Sequence, residues 1–311
     1  MGRYVARRLL QLIPVFIGST FLIFAMVFAM PGDPIQRLAG ERRPDPARVR
    51  LLTEQYNLDD PLVIQYLKYM GNMLKGDFGS NFAGRPVSAL FAESWPVTVK
   101  LAATAFAFEI VIGMLAGVLA GLRRGGFIDR FVLVSTLVVV SIPVFVLGFT
   151  LQLVVGVKFK DVFHLPVAGI TQGWPTSYIL PGIVLALLSL AYVARLTRTS
   201  LVENLRADYV RTAVAKGLSR KRVVGIHTLR NSLIPVVTFL GADLGALMGG
   251  AVVTEGIFNI PGVGFQIAYS TRAGEAPVVV GMVTLLVVIY LLANLFVDLL
   301  YAVLDPRIRY E

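Results

Sequence analysis

Residues 101–122 read LAATAFAFEIVIGMLAGVLAGL, an apolar run of 22 residues whose one ionisable side chain is Glu109. A helix rises about 1.5 Å per residue, so this run is long enough to cross a hydrocarbon layer about 30 Å thick. Five further stretches have the same character: Leu9–Ala29, Phe131–Val157, Ile179–Ala194, Leu233–Val253 and Val278–Leu304. The expected fold is an all-α polytopic membrane protein with six transmembrane helices. Ile179–Ala194 is the shortest and holds Pro181 near its start. No small-x-small cleavage site follows Leu9–Ala29, so it reads as an uncleaved anchor and not as a signal peptide.

Composition agrees. The chain has 311 residues, 56% of them hydrophobic and 15% charged, with a mean hydropathy of +0.73. A soluble domain carries about 25% charged residues, so this much apolar surface needs lipid as its solvent. There is no cysteine, which excludes disulfides, a thiolate nucleophile and cysteine metal sites. The net charge of +10 would suggest nucleic acid in a soluble protein. In a membrane protein its placement decides its meaning.

The basic residues fall on one side. Arg3, Arg7 and Arg8 precede the first span, and Arg123, Arg124 and Arg130 separate the second from the third. Nine more lie between the fourth and fifth: Arg195, Arg198, Arg206, Arg211, Lys216, Arg220, Lys221, Arg222 and Arg230. Arg307 and Arg309 follow the last span, while the opposite short loops hold only Lys158, Lys160 and Arg272. Both termini are therefore expected in the cytoplasm. The chain divides into an N-terminal arm and first span (1–30), an extracytoplasmic helical segment (31–98) and a five-span core (99–311) with a cytoplasmic loop at 195–232.

Three segments face water. In 31–98, Asp45-Pro46 and Asp60-Pro61 each open a helix, with Asp as N-cap and Pro at the first helical position. The second runs through Gln65, Leu67 and Met70 to a glycine cap at Gly76. This segment reads either as a lid over the bundle mouth or as a docking surface for an outside partner. In 195–232 a helix is expected to end near Lys216, before Gly217. Ser219 then caps a second short helix over 220–230, and Pro235 marks the return to the membrane. A positive-inside signal would explain the arginines. It would not explain Leu201, Leu205, Tyr209, Ala213 and Val214, which need burial against the bundle or a partner. No aromatic platform or reading helix accompanies the charge, so nucleic acid is not the expected partner. In 254–277, Glu255, Phe258, Pro261, Gly262 and Gly264 form an extracytoplasmic loop. The Pro-Gly pair suits a tight turn, and the apolar neighbours suggest a stretch dipping back into protein.

Within the bundle, Gly113, Gly117 and Gly121 share one helix face, as do Gly241, Gly245 and Gly249; such faces let backbones approach closely. Ionisable groups in lipid are costly and turn inward. Glu109 and Asp243 are pathway candidates with a structural role equally open, and Asp298 near the cytoplasmic end suits an ion pair with a loop arginine. Signs of broken helices paired across two halves are missing, which weakens a secondary-transporter reading. Searching for catalysis finds nothing. The two histidines, His164 and His227, lie in different segments. H-E-x-x-H, G-x-S-x-G and G-x-x-x-x-G-K-[ST] are all absent, so neither metal-assisted hydrolysis, a nucleophile elbow nor a phosphate loop is expected here.

The cytoplasmic loop reads Asp208-Tyr-Val-Arg-Thr-Ala-Val-Ala-Lys-Gly217. It resembles the EAA loop of ABC-importer permeases, although Arg211-Thr212-Ala213 stands where E-A-A would be and, of the general pattern, Ala213, Gly217 and Leu229 fit. Permeases of bacterial dipeptide and oligopeptide importers are similar nearly end to end. The matching stretches are Arg7-Arg8-Leu-Leu, Pro31-Gly-Asp-Pro34, Gly76-Asp-Phe-Gly79, Asp208-Tyr-Val-Arg-Thr-Ala and Ala215-Lys-Gly-Leu218. Others are His227-Thr-Leu-Arg-Asn-Ser-Leu-Ile-Pro235, Glu255-x-x-Phe-x-x-Pro-Gly-x-Gly264, Asn294-Leu-Phe-Val-Asp-Leu-Leu-Tyr301 and Asp305-Pro-Arg-Ile-Arg309. The long segment after the first span looks like the first permease of the usual pair.

The resemblance implies a type I ABC importer permease in the bacterial plasma (inner) membrane, a non-catalytic subunit in contact with lipid. It implies a second homologous permease, two ATPase subunits that carry ATP and Mg, and an extracytoplasmic peptide-binding protein. No cofactor is expected on this chain and no metal site. Asp208, Tyr209, Thr212, Ala213, Lys216 and Gly217 are the positions carried over for ATPase coupling. Two alternatives stay open: the same architecture importing a nickel chelate, glutathione or a haem-like ligand, or an ATP-independent channel or secondary carrier.

Overall fold

The computed structural model describes residues 2–28, 50, 53, 57 and 59–304, with no side chain described at 2–4, 250 or 300–304. The motifs at Pro31–Pro34 and Asp305–Arg309, the helix start at Asp45-Pro46 and the side chain of Tyr301 lie outside the described residues. Among these residues there are helices and no strand beyond one isolated bridge, Ser80 to Pro86. Four helices are long and apolar enough to cross a membrane, and two bent helix pairs would bring the spans to six. The chain forms two compact units, residues 1–98 with 261–311, and residues 99–260.

In the first unit, α1 (Gly2–Phe28) packs along α11 (Ala276–Leu304), and α2 (Leu62–Met73) lies against α1. The seam is aromatic. Phe24 stacks on Phe28 and meets Tyr66 edge-on, and Tyr66 Oη lies 2.8 Å from Thr20 Oγ1. A buried tyrosine needs such a partner for its hydroxyl. Tyr69 donates to Thr284 at 3.1 Å, and burial pushes its hydroxyl up to about 12 because an anion is penalised away from water. Gly76 closes α2 with φ +86°, as expected of a glycine cap. Asp298 pairs with Arg8 at 3.4 Å. Its partner is thus a residue of α1 and not of a loop, a pairing between distant segments that spacing along the chain does not reveal.

The second unit is built around α6 (Thr176–Asn204), a helix of 29 residues. Around it lie the later part of α3 (Val87–Leu122), α4 (Phe127–Ser141), α5 (Val144–Lys158) and α9 (Ile234–Phe258). The sequence makes this the weakest span. Its burial is the greatest of the four long helices, so protein replaces lipid as its solvent, and Ser, Thr and Pro181 are tolerated. The α3 glycines make that packing close. A Cβ on Gly113 would lie 3.0 Å from Val193, and one on Gly117 would sit 2.5 Å from both the Ala194 carbonyl and Thr197 Cβ. By contrast, a Cβ on Gly249 would meet nothing within 4 Å.

This contact supports a prediction. Gly117→Ala is expected to destabilise the chain by about 1–3 kcal/mol, the cost of overpacking against atoms that cannot give way. Thermal unfolding in detergent should show a lower midpoint. Gly71→Ala, on α2 with nothing within 4 Å, should leave it unchanged or slightly higher. Equal midpoints for the two would refute the close contact.

Two expectations are corrected here. Phe131–Val157 is not one straight span: α4 and α5 meet at 106°. Pro143 lacks an N–H and biases Ile142 towards extended backbone, observed at φ −103°, ψ 129°, so the helix cannot run through. Nor does one helix run from 195 to Lys216. It breaks at Leu205–Ala207, and Ala207 is extended (φ −67°, ψ 150°). The second joint falls between α8 (Arg220–Ser232) and α9, bent by 43° with Pro235 in the first turn of α9.

Candidate functional site

The residues expected in a cytoplasmic loop gather on α7 (Asp208–Ala215) and the turn after it. Asp208 opens the helix, where a negative charge suits the unpaired N–H groups. Thr212 Oγ1 donates to the Asp208 carbonyl at 2.9 Å. Lys216 and Gly217 close it: Lys216 N–H donates to Thr212 O at 3.0 Å and Gly217 N–H to Val214 O at 2.9 Å. Gly217 stands at φ +77°, the left-handed conformation that ends helices.

This short helix has two distinct faces. Val210 and Ala213 are buried against Val223 of α8, with Leu218 packed on the same cluster. On the other side Asp208, Tyr209, Thr212 and Lys216 are exposed, and Val214 is 60% exposed. Of the apolar residues expected to need burial, Leu201 and Ala213 are buried, Leu205 is half-buried, and Tyr209 and Val214 face outward. Tyr209 is fixed by its hydroxyl, which donates to Asn204 Oδ1 at 2.6 Å. The loop is also fastened from behind. Ser232 is fully buried and donates to Thr228 O at 2.8 Å, with Ser200 O of α6 at 3.5 Å. A helix of eight residues has little stability alone, and these contacts hold it on a rigid base.

The residues read as an extracytoplasmic loop mostly belong to helix ends. Glu255 and Phe258 are in the last turn of α9 and fully buried, and Gly264 is buried in the first turn of α10 (Val263–Arg272). Only Asn259 to Gly262 leave the helix. Asn259 adopts the left-handed conformation at φ 50°, Pro261 is exposed and Gly262 is extended. The expected irregular dip is therefore a helix end buried in protein. Its last carbonyls need partners and find them: Gly169 N–H donates to Phe258 O at 2.8 Å, and Gln152 Nε2 to Ile257 O at 3.3 Å. Gln152 and Gly169 carried no signal in the sequence, because their role depends on a helix about 100 residues away.

Glu109 and Asp243 are far apart in sequence and are brought together. Glu109 has no exposed surface, and its two oxygens have no hydrogen-bond partner. Ser189 Oγ donates to Asp243 Oδ1 at 3.0 Å, whereas Asp243 Oδ2 is buried without a partner. One ion pair that joins two helices of this unit carries no signal in the sequence. Arg198 of α6 grips Asp129 of α4 with both Nε and Nη2, and Gly125 N–H donates to Asp129 Oδ2 at 2.8 Å. In the sequence Arg198 reads only as a topological charge. No group of three or more His, Asp or Glu suited to a metal occurs among the described residues.

Comparison with known proteins bears on this arrangement. Residues 110–310 match the family described as binding-protein-dependent transport system inner membrane components. The chain belongs to this family. Residues 1–102 match its N-terminal membrane component. Two relatives align over their full length and that of this chain: the di/tripeptide transport system permease protein DppB of Pseudomonas aeruginosa at 40% identity, and the dipeptide transport system permease protein DppB of Escherichia coli K12 at 38%. The glutathione transport system permease protein GsiC of Escherichia coli K12 does so at 39%. Among solved structures, a chain of the MetNI methionine ABC transporter in inward-facing conformations matches with a TM-score of 0.57 at 19% identity, covering 70% of this chain and 97% of that one. That likeness shows a shared importer-permease fold. The protein is a multi-pass inner membrane protein.

Proposed function

We propose that this chain is one permease of an ATP-driven peptide importer, forming half of a translocation pore with a second, homologous permease. In this reading the two bent pairs each count as one span, giving six, and both termini lie in the cytoplasm. Two ATPase subunits bind ATP and Mg below, and an extracytoplasmic binding protein delivers peptide from above. The chain itself is non-catalytic. The observation that carries the reading is the two-faced α7: one face locked onto α8, the other exposed. A helix so fixed moves as a rigid body, so a shift in a docked ATPase is passed to α6 and α9. Asp208, Tyr209, Thr212, Lys216 and Gly217 would meet the ATPase, and Ala213 would hold the helix in place. The Asn259–Gly262 turn, exposed at Asn259 and Pro261, is the extracytoplasmic counterpart for contact with a delivering protein.

For the solute we favour di- and tripeptides. Dipeptide and glutathione permeases are almost equally similar to the chain, and both relatives' solutes are short peptides. The experiment is co-purification of the tagged chain in mild detergent with every partner identified by mass. A second six-span permease and ATPase subunits in near-equal amounts are expected. A clean chain without ATPase, in detergent shown to preserve a known complex of this kind, would sink the proposal and favour an ATP-independent channel or carrier.

A further inference from the structure

The buried acidic pair calls for its own explanation. Buried carboxyls are held by cations or by hydrogen-bond donors, yet both Glu109 oxygens and Asp243 Oδ2 lack a donor. Apart from Ser189, the helices that carry them meet in an apolar cluster. Phe106, Ile110 and Met114 of α3 pack with Val236, Phe239 and Leu240 of α9 and Val193 of α6. The charge acting on Glu109 is that of Asp243. Basic groups are elsewhere. Arg195 is six residues beyond Ser189 on α6, about 9 Å of helix rise, and Arg198 is committed to Asp129. α9 carries no basic residue and α3 none nearer than Lys100 and Arg123.

We propose that Glu109 and Asp243 bind one proton between them, as a carboxylic acid hydrogen-bonded to a carboxylate. Two like charges side by side in a low-dielectric interior repel strongly. A hard cation would need six or more oxygen ligands, and the site offers two carboxyls and one hydroxyl. A single proton pairs two of the three orphaned atoms: it turns one Glu109 oxygen into a donor for Asp243 Oδ2, and an O–H···O⁻ bond is among the strong ones. The surroundings also place the proton. Asp243 accepts from Ser189, a donor that favours its charged form, whereas Glu109 is fully enclosed and has no other donor. Glu109 is therefore the acid and Asp243 the carboxylate. The bond ties α3 to α9 beside α6, at the place where α3 widens into a π turn over Glu109–Gly113. Such turns are common at functional sites. Glu109 has no surface for a solute to touch, so its part is to hold the proton and not to handle cargo.

Infrared spectroscopy of the purified chain in lipid nanodiscs, with whatever partners accompany it, tests this independently of the importer reading. Wild type should show the carbonyl stretch of a protonated carboxyl. Glu109→Gln should lose that component, and Asp243→Asn should keep it at a shifted frequency. The proposal fails if the wild-type and Glu109→Gln spectra coincide. It also fails if Asp243→Asn, and not Glu109→Gln, removes the component, because the proton would then sit on the other residue. Should Glu109→Gln not yield folded protein, an unshifted component in Asp243→Asn overturns the proposal by itself.

Discussion

Replacing Gly217 by valine is expected to cut uptake by about tenfold or more while the chain stays in the membrane at wild-type amount. Gly217 sits at φ +77°, and a Cβ there would meet nothing within 4 Å. The penalty is therefore backbone strain alone. It is about 1–2 kcal/mol for an ordinary L-residue and more for a β-branched one. The chain relieves that strain by leaving the left-handed conformation, which turns α8 away from α7. Leu218 N–H then loses its bond to Ala213 O, 3.3 Å long, and the Val210–Ala213–Val223 cluster opens. The exposed face of α7 points elsewhere, although every spanning helix remains intact. Each 1.4 kcal/mol is a tenfold change in an equilibrium, so uptake of labelled dipeptide should fall by at least about tenfold. Gly217→Asn should retain most of it, because asparagine tolerates this conformation. Uptake assays alongside immunoblots of the membrane fraction give both readings, and normal transport by Gly217→Val would end the coupling role of this turn.

Asp129→Ala should be the most destabilising single change considered. The Asp129 side chain is 3% exposed and that of Arg198 is 20% exposed. Removing the carboxylate leaves a largely buried guanidinium without its partner and the Gly125 N–H without its acceptor. Breaking a buried pair on one side costs about 3–5 kcal/mol. The expected result is a large drop in the thermal midpoint in detergent, with poor accumulation in cells. The double variant Asp129→Ala with Arg198→Met should recover much of the loss, since no buried charge then remains. A single variant as stable as wild type would show that the pair is exchangeable with water.

How legible was this molecule? Spans facing lipid were plain, because apolar runs of twenty or more residues have few other readings. α6 looked weak for a physical reason: more of it is buried in protein than of the other long helices, so it carries Ser177, Pro181 and Gly182 where a lipid-facing helix would carry leucine. The break at Pro143 was available in the residue itself, since proline interrupts the hydrogen-bond ladder. It was hidden by the apolar character of both flanks. Of the candidate site, the Gly217 turn and the helix start after Ser219 were readable because both are local, although the Ser219 side chain makes no capping hydrogen bond. The Glu109–Asp243 and Asp129–Arg198 pairings were not, since each joins helices more than sixty residues apart. The π turn adds to the difficulty: it inserts about one residue, so a helical wheel drawn through Glu109 at 3.6 residues per turn loses its register beyond it.

The 106° joint at Ile142–Pro143 also has a consequence for biosynthesis. Each of its arms is 15 residues long, about 22 Å of helix, against a hydrocarbon layer about 30 Å thick. Neither arm is a convincing membrane segment when it first leaves the ribosome. In the reading that counts the pair as one span, the two arms are expected to integrate together. A charge introduced in either arm therefore threatens the integration of both, and with it the arrival of α6 on its correct side.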